Sequence, residues 1–271
     1  MLSLLLTAVF APEAPPATPT HKPSDKWVVN FADDRCLASR RFVPFANPAA
    51  PGFELVIDPR PLSDTTATLY FFVPKSERAR YEATNFSVAS AEVAPRLLER
   101  TNLAVADTIL FRTHLEKTQL AALVTGSIRL EGKGDAVTVP LSGYAAVRRT
   151  LDRCLDDLMV SWGFAPGLTA RVVTLPTVLN GNLASLFQTE DYPQEAMRAN
   201  ASGEPEVLLK IDEKGRPSNC RVLRSSGHLS LDEATCAIPQ RRGRFAPARD
   251  GAGQAIAAPY IYRIRWIMPV G

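Results

Sequence analysis

Residues 205–251 decide the fold of the second half of the chain, and they read PEVLLKIDEKGRPSNCRVLRSSGHLSLDEATCAIPQRRGRFAPARDG. Every second residue of 207–211 is apolar, which is typical of a strand with one buried face. The turn formers of residues 212–215 follow, and residues 217–224 return as a second strand. This stretch therefore predicts a β-hairpin.

A helix is predicted to follow the hairpin. Residues 225–227 read Ser-Ser-Gly and turn the chain. Ser230 and Glu233 have the spacing of a capping box, in which each side chain bonds the backbone of the other end of the first turn. The helix is therefore expected from Leu231 to about Arg241, with Gly243 ending it.

One short helix precedes the hairpin and one strand ends the domain. Tyr192-Pro193 opens the short helix, predicted over residues 195–199, because proline is tolerated at a helix start. Residues 259–268 are predicted as the last strand. Its pattern divides the side chains between two faces, with Tyr260, Tyr262, Ile264 and Trp266 on one and Arg263 and Arg265 on the other.

This order of elements resembles the C-terminal domain of TonB energy transducers over residues 188–268. The matching residues are Tyr192-Pro193, Asp212 to Arg216, Ser225, Ser226, Gly227, Leu231, Asp232, and Arg244 to Gly251. Because several elements occur in the family's order, chance similarity is a poor explanation. The resemblance implies a small domain built from a hairpin, a helix and a last strand.

The resemblance also implies a partner. In the family this domain lies in the periplasm and captures the TonB box, a peptide segment of an outer-membrane transporter, which adds as a strand to the sheet edge. We therefore predict the partner-binding residues to be Tyr260, Ile261, Tyr262, Arg263, Ile264, Arg265 and Trp266. The alternative is an ordinary strand whose arginines are a solvated face. Pairing of edge strands into a homodimer remains open.

The chain has four cysteines, at positions 36, 154, 220 and 236. They form no Cys-x-x-Cys motif and have no nearby pair of histidines, so a metal site is not expected. Their even number suggests two disulfides, and the alternative is four buried free thiols. Cys154 lies on the apolar stripe of a predicted helix, where Cys36 could meet it. For Cys220 and Cys236, the family resemblance implies the pairing.

The first half is predicted to be a mostly antiparallel β domain closed by one long helix, so the whole chain is expected to be α+β. The helix is predicted over residues 143–162 from its apolar spacing. Short β-type runs occur at Trp27–Phe31, Phe53–Ile57, Ala67–Val73, Thr108–Phe111, Ser127–Leu130 and Val137–Val139, with a short helix at Lys117–Val124. In outline this half is similar to small exported alphaproteobacterial domains of the invasion-associated type.

Four regions are predicted along the chain. Residues 1–25 are a signal-like segment and a proline-rich spacer outside the fold, and residues 26–163 are an exported domain of unknown role. Residues 164–185, which mix proline, glycine and asparagine with aliphatic residues, are a linker. Residues 186–271 are the TonB-like domain.

The first eleven residues are apolar but shorter than a bilayer span, and no basic residue precedes them. We expect export to the periplasm by this segment, a frayed N-terminus being the alternative. Inner-membrane anchoring is the less favoured expectation. A folded domain also stands where a full transducer has its long linker, so the protein is expected to bind its partner without itself being energised.

Composition and motifs exclude other classes of protein. The chain has 271 residues, with 31 Lys and Arg against 28 Asp and Glu, so it lacks the basic field of a nucleic-acid binder. Its three histidines, at positions 21, 114 and 228, are not placed as catalytic bases. No phosphate-binding loop or paired-carboxylate motif occurs, and we expect neither an enzyme nor a cofactor. The alternative function is envelope assembly through the same domain, without energy transduction.

Overall fold

The computed structural model describes residues 19–268 apart from 63–66, 79–82, 89–95, 98, 106, 125, 133–135 and 180. Its strands are β1 His21–Pro23, β2 Val28–Phe31, β3 Cys36–Pro44, β4 Phe53–Pro59, β5 Ala67–Pro74, β6 Ala83–Val88, β7 Arg96–Leu97, β8 Glu99–Val105, β9 Thr108–Leu115, β10 Ser127–Gly132, β11 Val137–Pro140, β12 Val172–Thr174, β13 Thr177–Val178, β14 Glu206–Ile211, β15 Pro217–Arg224, β16 Phe245–Ala246, β17 Ala248–Asp250, β18 Ala255–Ile256 and β19 Ala258–Arg263. Its α-helices are α1 Lys117–Ala122, α2 Tyr144–Ser161, α3 Leu168–Arg171, α4 Gln194–Arg198 and α5 Leu229–Arg242. Short 3₁₀ helices occupy Lys75–Glu77, Leu183–Leu186 and Thr189–Asp191. The predicted signal-like segment, Met1–Ala11, lies outside the described residues.

The protein is α+β with mostly antiparallel sheets, as the sequence predicted. Its contacts divide it into two compact units. Within the described residues, the first unit comprises 19–28, 38–57 and 68–148, and the second comprises 29–37, 58–67 and 149–268.

Two mostly antiparallel sheets organise the first unit. One follows the order β1-β3-β4-β5-β9-β8 and the other follows β11-β10-β6-β7. Alternate residues of β3, β4 and β5 are buried, and Phe42, Leu55, Ile57, Leu69 and Phe71 are fully buried in these strands. The predicted runs in this half all form strands. Cys36, which was expected on an early strand, begins β3, but the rest of β3 was not predicted because its Ser-Arg-Arg segment interrupts the apolar pattern.

Residues 1–25 were predicted to lie outside the fold, and this is wrong for residues 21–23. His21 pairs with Pro44 and Pro23 with Phe42 in an antiparallel ladder, so β1 is a sheet strand. The Thr20 amide also donates to the Thr138 carbonyl. Backbone pairing with β3 thus orders residues whose proline-rich neighbourhood predicted a solvated spacer.

The second unit contains the predicted hairpin and last strand as one three-stranded sheet, in the order β15-β14-β19. Its tight turn is closed by the Gly215 amide, which donates to the Asp212 carbonyl. Helix α5 packs against β14 and β15. The core beneath this sheet contains Leu183, Val207, Leu209, Ile211, Phe245 and Tyr262.

The start of α5 differs from the prediction. The helix begins at Leu229 with His228 as its N-cap, and no side chain caps it. The buried Asp232 carboxylate instead accepts hydrogen bonds from both Ser225 and Ser226 hydroxyls, each at 2.6 Å, and from the Ser226 amide at 2.8 Å. The Ser-Ser-Gly turn and the helix are therefore joined through Asp232, and the predicted capping box between Ser230 and Glu233 is wrong.

Residues 164–185 were predicted to be a linker, but the structure gives them regular elements within the second unit. Strand β12 pairs with β17, and β13 pairs with β16, so this segment lies beside the residues that follow α5. Residues 149–163 also belong to the second unit. The division of the chain therefore differs from the predicted boundary, because these backbone ladders hold the segment against residues 245–250.

Both disulfides are formed. Cys36 is bonded to Cys154 and Cys220 to Cys236, with sequence separations of 118 and 16. The first bond joins residues 29–37 to helix α2 within the second unit, and the second joins β15 to α5. The described residues contain no free cysteine.

Candidate strand-binding site

The three-stranded sheet has two edges, and they differ in regularity. The β15 edge has two register shifts against β14, which leave Asn219 and Leu223 as extra residues without a partner in the ladder. Asn219 has a φ of 37°, in the left-handed region. Bulges bend a strand and break the even spacing of its backbone groups, so the β15 edge is a poor template for another strand.

The β19 edge is regular. Its pairing with β14 runs without a shift from Ile211 opposite Ala258 to Glu206 opposite Arg263. The same register continues beyond β19, where Gly203 and Trp266 exchange backbone hydrogen bonds of 3.2 and 2.8 Å. Among the described strands, β14 alone pairs with β19, which leaves the other side of β19 as a sheet edge.

The backbone direction along this edge follows from the antiparallel pattern. Gly203 and Trp266 form a hydrogen-bonded pair, and the Ile264 amide donates to the Pro205 carbonyl. Because hydrogen-bonded and non-hydrogen-bonded pairs alternate, the amides and carbonyls of even-numbered residues 262–266 point toward β14. Those of Ile261, Arg263 and Arg265 therefore point away from the sheet, where an added strand would bind.

The even-numbered side chains of this edge face the helix. The Tyr262 hydroxyl donates to the Thr235 carbonyl at 2.6 Å, and Trp266 Nε1 donates to Thr235 Oγ1 at 2.7 Å. Burial raises the pKa of Tyr262, which keeps its hydroxyl a neutral donor. Tyr260 and Ile264 pack against the same core. These side-chain contacts fix the strand against α5. They do not involve the backbone amides and carbonyls that point away from the sheet.

The opposite face carries a chain of charged side chains, here called the charged cluster: Asp58, Arg60, Glu206 and Arg263. Arg60 Nη2 lies 3.0 Å from Glu206 Oε2 and 3.4 Å from Asp58 Oδ2. Arg263 Nη2 lies 3.7 Å from Glu206 Oε1. The sequence did not identify Asp58, Arg60 or Glu206 as site residues, because no spacing rule connects positions so far apart in the chain.

The structure places the seven predicted partner-binding residues as follows. Tyr260, Ile261, Tyr262 and Arg263 lie in β19, whereas Ile264, Arg265 and Trp266 follow it. The predicted strand over residues 259–268 is therefore shorter, ending at Arg263, and only the bridge at Trp266 continues the pairing. Arg265 is exposed, while Arg263 is half-buried by its contact with Glu206.

Asp58 is the most deeply buried residue of the charged cluster. Its side chain is 1% exposed, and both carboxylate oxygens lack a hydrogen bond in the described part of the chain. Burial raises its pKa, opposed by Arg60 and Arg35, while Glu206 and Asp34 add to the rise. The Asp58 carboxyl group therefore binds its proton more tightly in the native protein than in the unfolded chain.

We expect Asp58→Asn to stabilise the protein at pH 7 and to lose this advantage on acidification. For a raised pKa, the wild type gains stability as the pH falls through the native pKa toward the unfolded value of 3.8, and no more below it. The measurement is the free energy of unfolding of both proteins from pH 7 to 4. The control is Asp34→Asn, which should destabilise the protein at pH 7, because a hydrogen bond from Arg35 lowers the pKa of Asp34 below the unfolded value of 3.8. This loss should stay nearly constant from pH 7 to 4, since it disappears only as the pH falls below 3.8. A difference between wild type and Asp58→Asn that does not change with pH would contradict the assignment.

These features define a class of protein: a small three-stranded antiparallel sheet, covered by a helix on one face, with one edge in unbroken register. Residues 188–268 match the family described as Gram-negative bacterial TonB protein C-terminal. This segment is a TonB C-terminal domain, as its motifs predicted. No curated protein matches the chain.

Domains of this family are associated with the Gram-negative envelope and generally interact with outer-membrane receptors. Across the described ranges, no helix has the length and apolar character to cross a membrane. The same residues contain no group of three or more His, Cys, Asp or Glu side chains suited to a metal ion.

Proposed function

We propose that the second unit binds an extended peptide by strand addition at the β19 edge. The observation that carries this proposal is the contrast between the two edges of one sheet. β15 is bulged twice, whereas β19 is in unbroken register with outward-facing amides and carbonyls at Ile261, Arg263 and Arg265. A regular edge offers backbone hydrogen bonds that supply affinity whatever the peptide sequence.

The proposed partner is the TonB box of an outer-membrane transporter, and the proposed setting is the periplasm. The match of residues 188–268 to the TonB C-terminal family supports both. The proposed role is in TonB-dependent transport, with the N-terminal segment as an export signal. Two disulfides within the second unit are consistent with an oxidising compartment.

Binding, and not catalysis, is the proposed activity. Ser225 and Ser226, which lie near His228, would be the candidate nucleophiles of an enzyme. Both hydroxyls donate to the Asp232 carboxylate at 2.6 Å, and the Ser226 hydroxyl also contacts the His228 carbonyl. These hydrogen bonds join the Ser-Ser-Gly turn to helix α5, so the two hydroxyls have a structural role.

We expect synthetic peptides from the N-terminal segments of outer-membrane transporters to bind the full chain at β19. Backbone amide signals of Ile261, Arg263 and Arg265 should shift on titration more than those of Tyr262 and Trp266, because the former point outward. NMR of isotope-labelled protein with its disulfides intact gives this measurement.

Two N-methylated versions of each peptide provide the control. N-methyl groups on one alternate set of residues remove the donors that face β19, and those on the other set leave these donors intact. Strand addition requires that only one set abolishes binding. Equal loss with both sets, or no shift at millimolar peptide, contradicts the proposal and favours envelope assembly through another surface.

A further inference from the structure

The charged cluster connects the edge strand to residues that lie outside the TonB C-terminal domain. Asp58 lies at the end of β4 and Arg60 directly follows that strand, whereas Glu206 and Arg263 belong to the three-stranded sheet. The side chains of Asp58, Glu206 and Arg60 are 1%, 7% and 10% exposed. All four residues belong to the second unit.

Arg263 is the residue at which the cluster meets the binding edge. It lies opposite Glu206 in a non-hydrogen-bonded pair of the ladder, the arrangement that brings facing side chains closest. Its own backbone amide and carbonyl therefore point outward. Its Nε is buried and has no hydrogen-bond partner among the described residues, so Glu206 is its charged contact there.

Arg60 determines where the Glu206 carboxylate lies. The Arg60–Glu206 contact is a hydrogen bond of 3.0 Å, whereas the Glu206–Arg263 contact is 3.7 Å. A buried carboxylate is tolerated only with compensating charge and hydrogen bonds, and Arg60 supplies both. Without Arg60, Glu206 and Asp58 would be two buried carboxylates with Arg263 as the nearest cation left in the cluster.

We propose that Arg60 is a positioning residue of the β19 edge: it holds Glu206, which holds Arg263 in the extended conformation that an added strand requires. Peptide capture by the TonB C-terminal domain then depends on a residue far outside that domain. This inference rests on the proposed function, because it concerns the affinity of the same edge. The physical gain is preorganisation, since a side chain ordered before binding costs no entropy at binding.

The main test variant is Arg60→Met combined with Asp58→Asn. It removes one positive and one negative charge, so the cluster keeps its net charge and the Glu206–Arg263 pair is retained. We expect the peptide dissociation constant to rise roughly 2- to 10-fold, the effect of ordering one side chain at binding. The backbone amide and the Nε–H signals of Arg263 should also move in the peptide-free protein.

Arg60→Lys is the second variant and keeps the positive charge. A lysine ammonium lacks the planar fork of a guanidinium, so it cannot contact both carboxylates in the same way. We expect an affinity between those of the wild type and the double variant. Such graded rescue distinguishes positioning from a general loss of stability.

The matched control is Arg242→Met, which removes the Arg242–Asp191 ion pair of the same unit without touching the cluster. It should leave both the affinity and the Arg263 signals unchanged. Wild-type affinity in the double variant, with unmoved Arg263 signals, overturns the role of Arg60 and leaves the proposed function standing. Absence of peptide binding by the wild type contradicts the proposed function itself.

Discussion

Replacing Cys36 and Cys154 by alanine should lower the free energy of unfolding by about 5 kcal/mol. The bond closes a loop with a sequence separation of 118, and the entropy that a cross-link removes from the unfolded chain increases with loop length. Both residues are buried, so loss of the two sulfurs also weakens packing. Denaturant unfolding without reductant measures the loss, which should fall on the transition of the second unit, where both cysteines lie.

The control for loop length is the alanine replacement of Cys220 and Cys236. This bond has a sequence separation of 16, so we expect a loss of about 3 kcal/mol. Cys220 and Cys236 are only partly buried, which reduces the packing contribution. The prediction fails if the long-range bond contributes less than the short-range one, or if removing it leaves the second unit unchanged.

Gly215→Ala should destabilise the second unit by about 3 kcal/mol. Gly215 has a φ of +74°, and an added Cβ would lie only 1.8 Å from the Phe245 carbonyl oxygen. That atom belongs to the backbone, so it cannot be displaced by a side-chain rotation. The Phe245 amide also donates to the Gly215 carbonyl at 3.0 Å, and the shift that relieves the clash breaks this bond. Thermal or denaturant unfolding measures the effect.

Gly253→Ala is the matched control. Its φ of +77° imposes nearly the same backbone cost, but nothing lies within 4 Å of the added Cβ. We expect a loss of about 1 kcal/mol from conformation alone. Equal losses at the two positions would show that the close approach between the hairpin turn and Phe245 does not contribute to stability.

The local elements of the TonB C-terminal domain were predictable from the sequence. The alternation at residues 207–211, the turn at 212–215 and the return strand each have a short-range signal. The structure confirms them as β14, a turn closed at Gly215, and β15. Helix α5 was predicted within two residues of its start, but its cap was not, because Asp232 bonds backward to Ser225 and Ser226.

The β15 bulges were beyond prediction from the sequence. No pattern in residues 217–224 predicts which residue has no partner in β14, because a bulge depends on how the two paired strands match. Yet the bulges decide which edge of the sheet is regular. The sequence indicated a binding strand, and the paired register distinguishes the two edges.

The sequence by itself determined the class of the second half, its periodic elements and the even number of cysteines, because these depend on residues close together in the chain. The tertiary structure alone decided that residues 164–185 pair with strands after α5, that residues 58–67 belong to the second unit, and that Arg60 contacts Glu206. Hydrophobic period and turn chemistry extend over a few residues, so they predict local structure. A contact between distant residues forms only when the whole chain brings them together, and no local pattern records which pairs will meet.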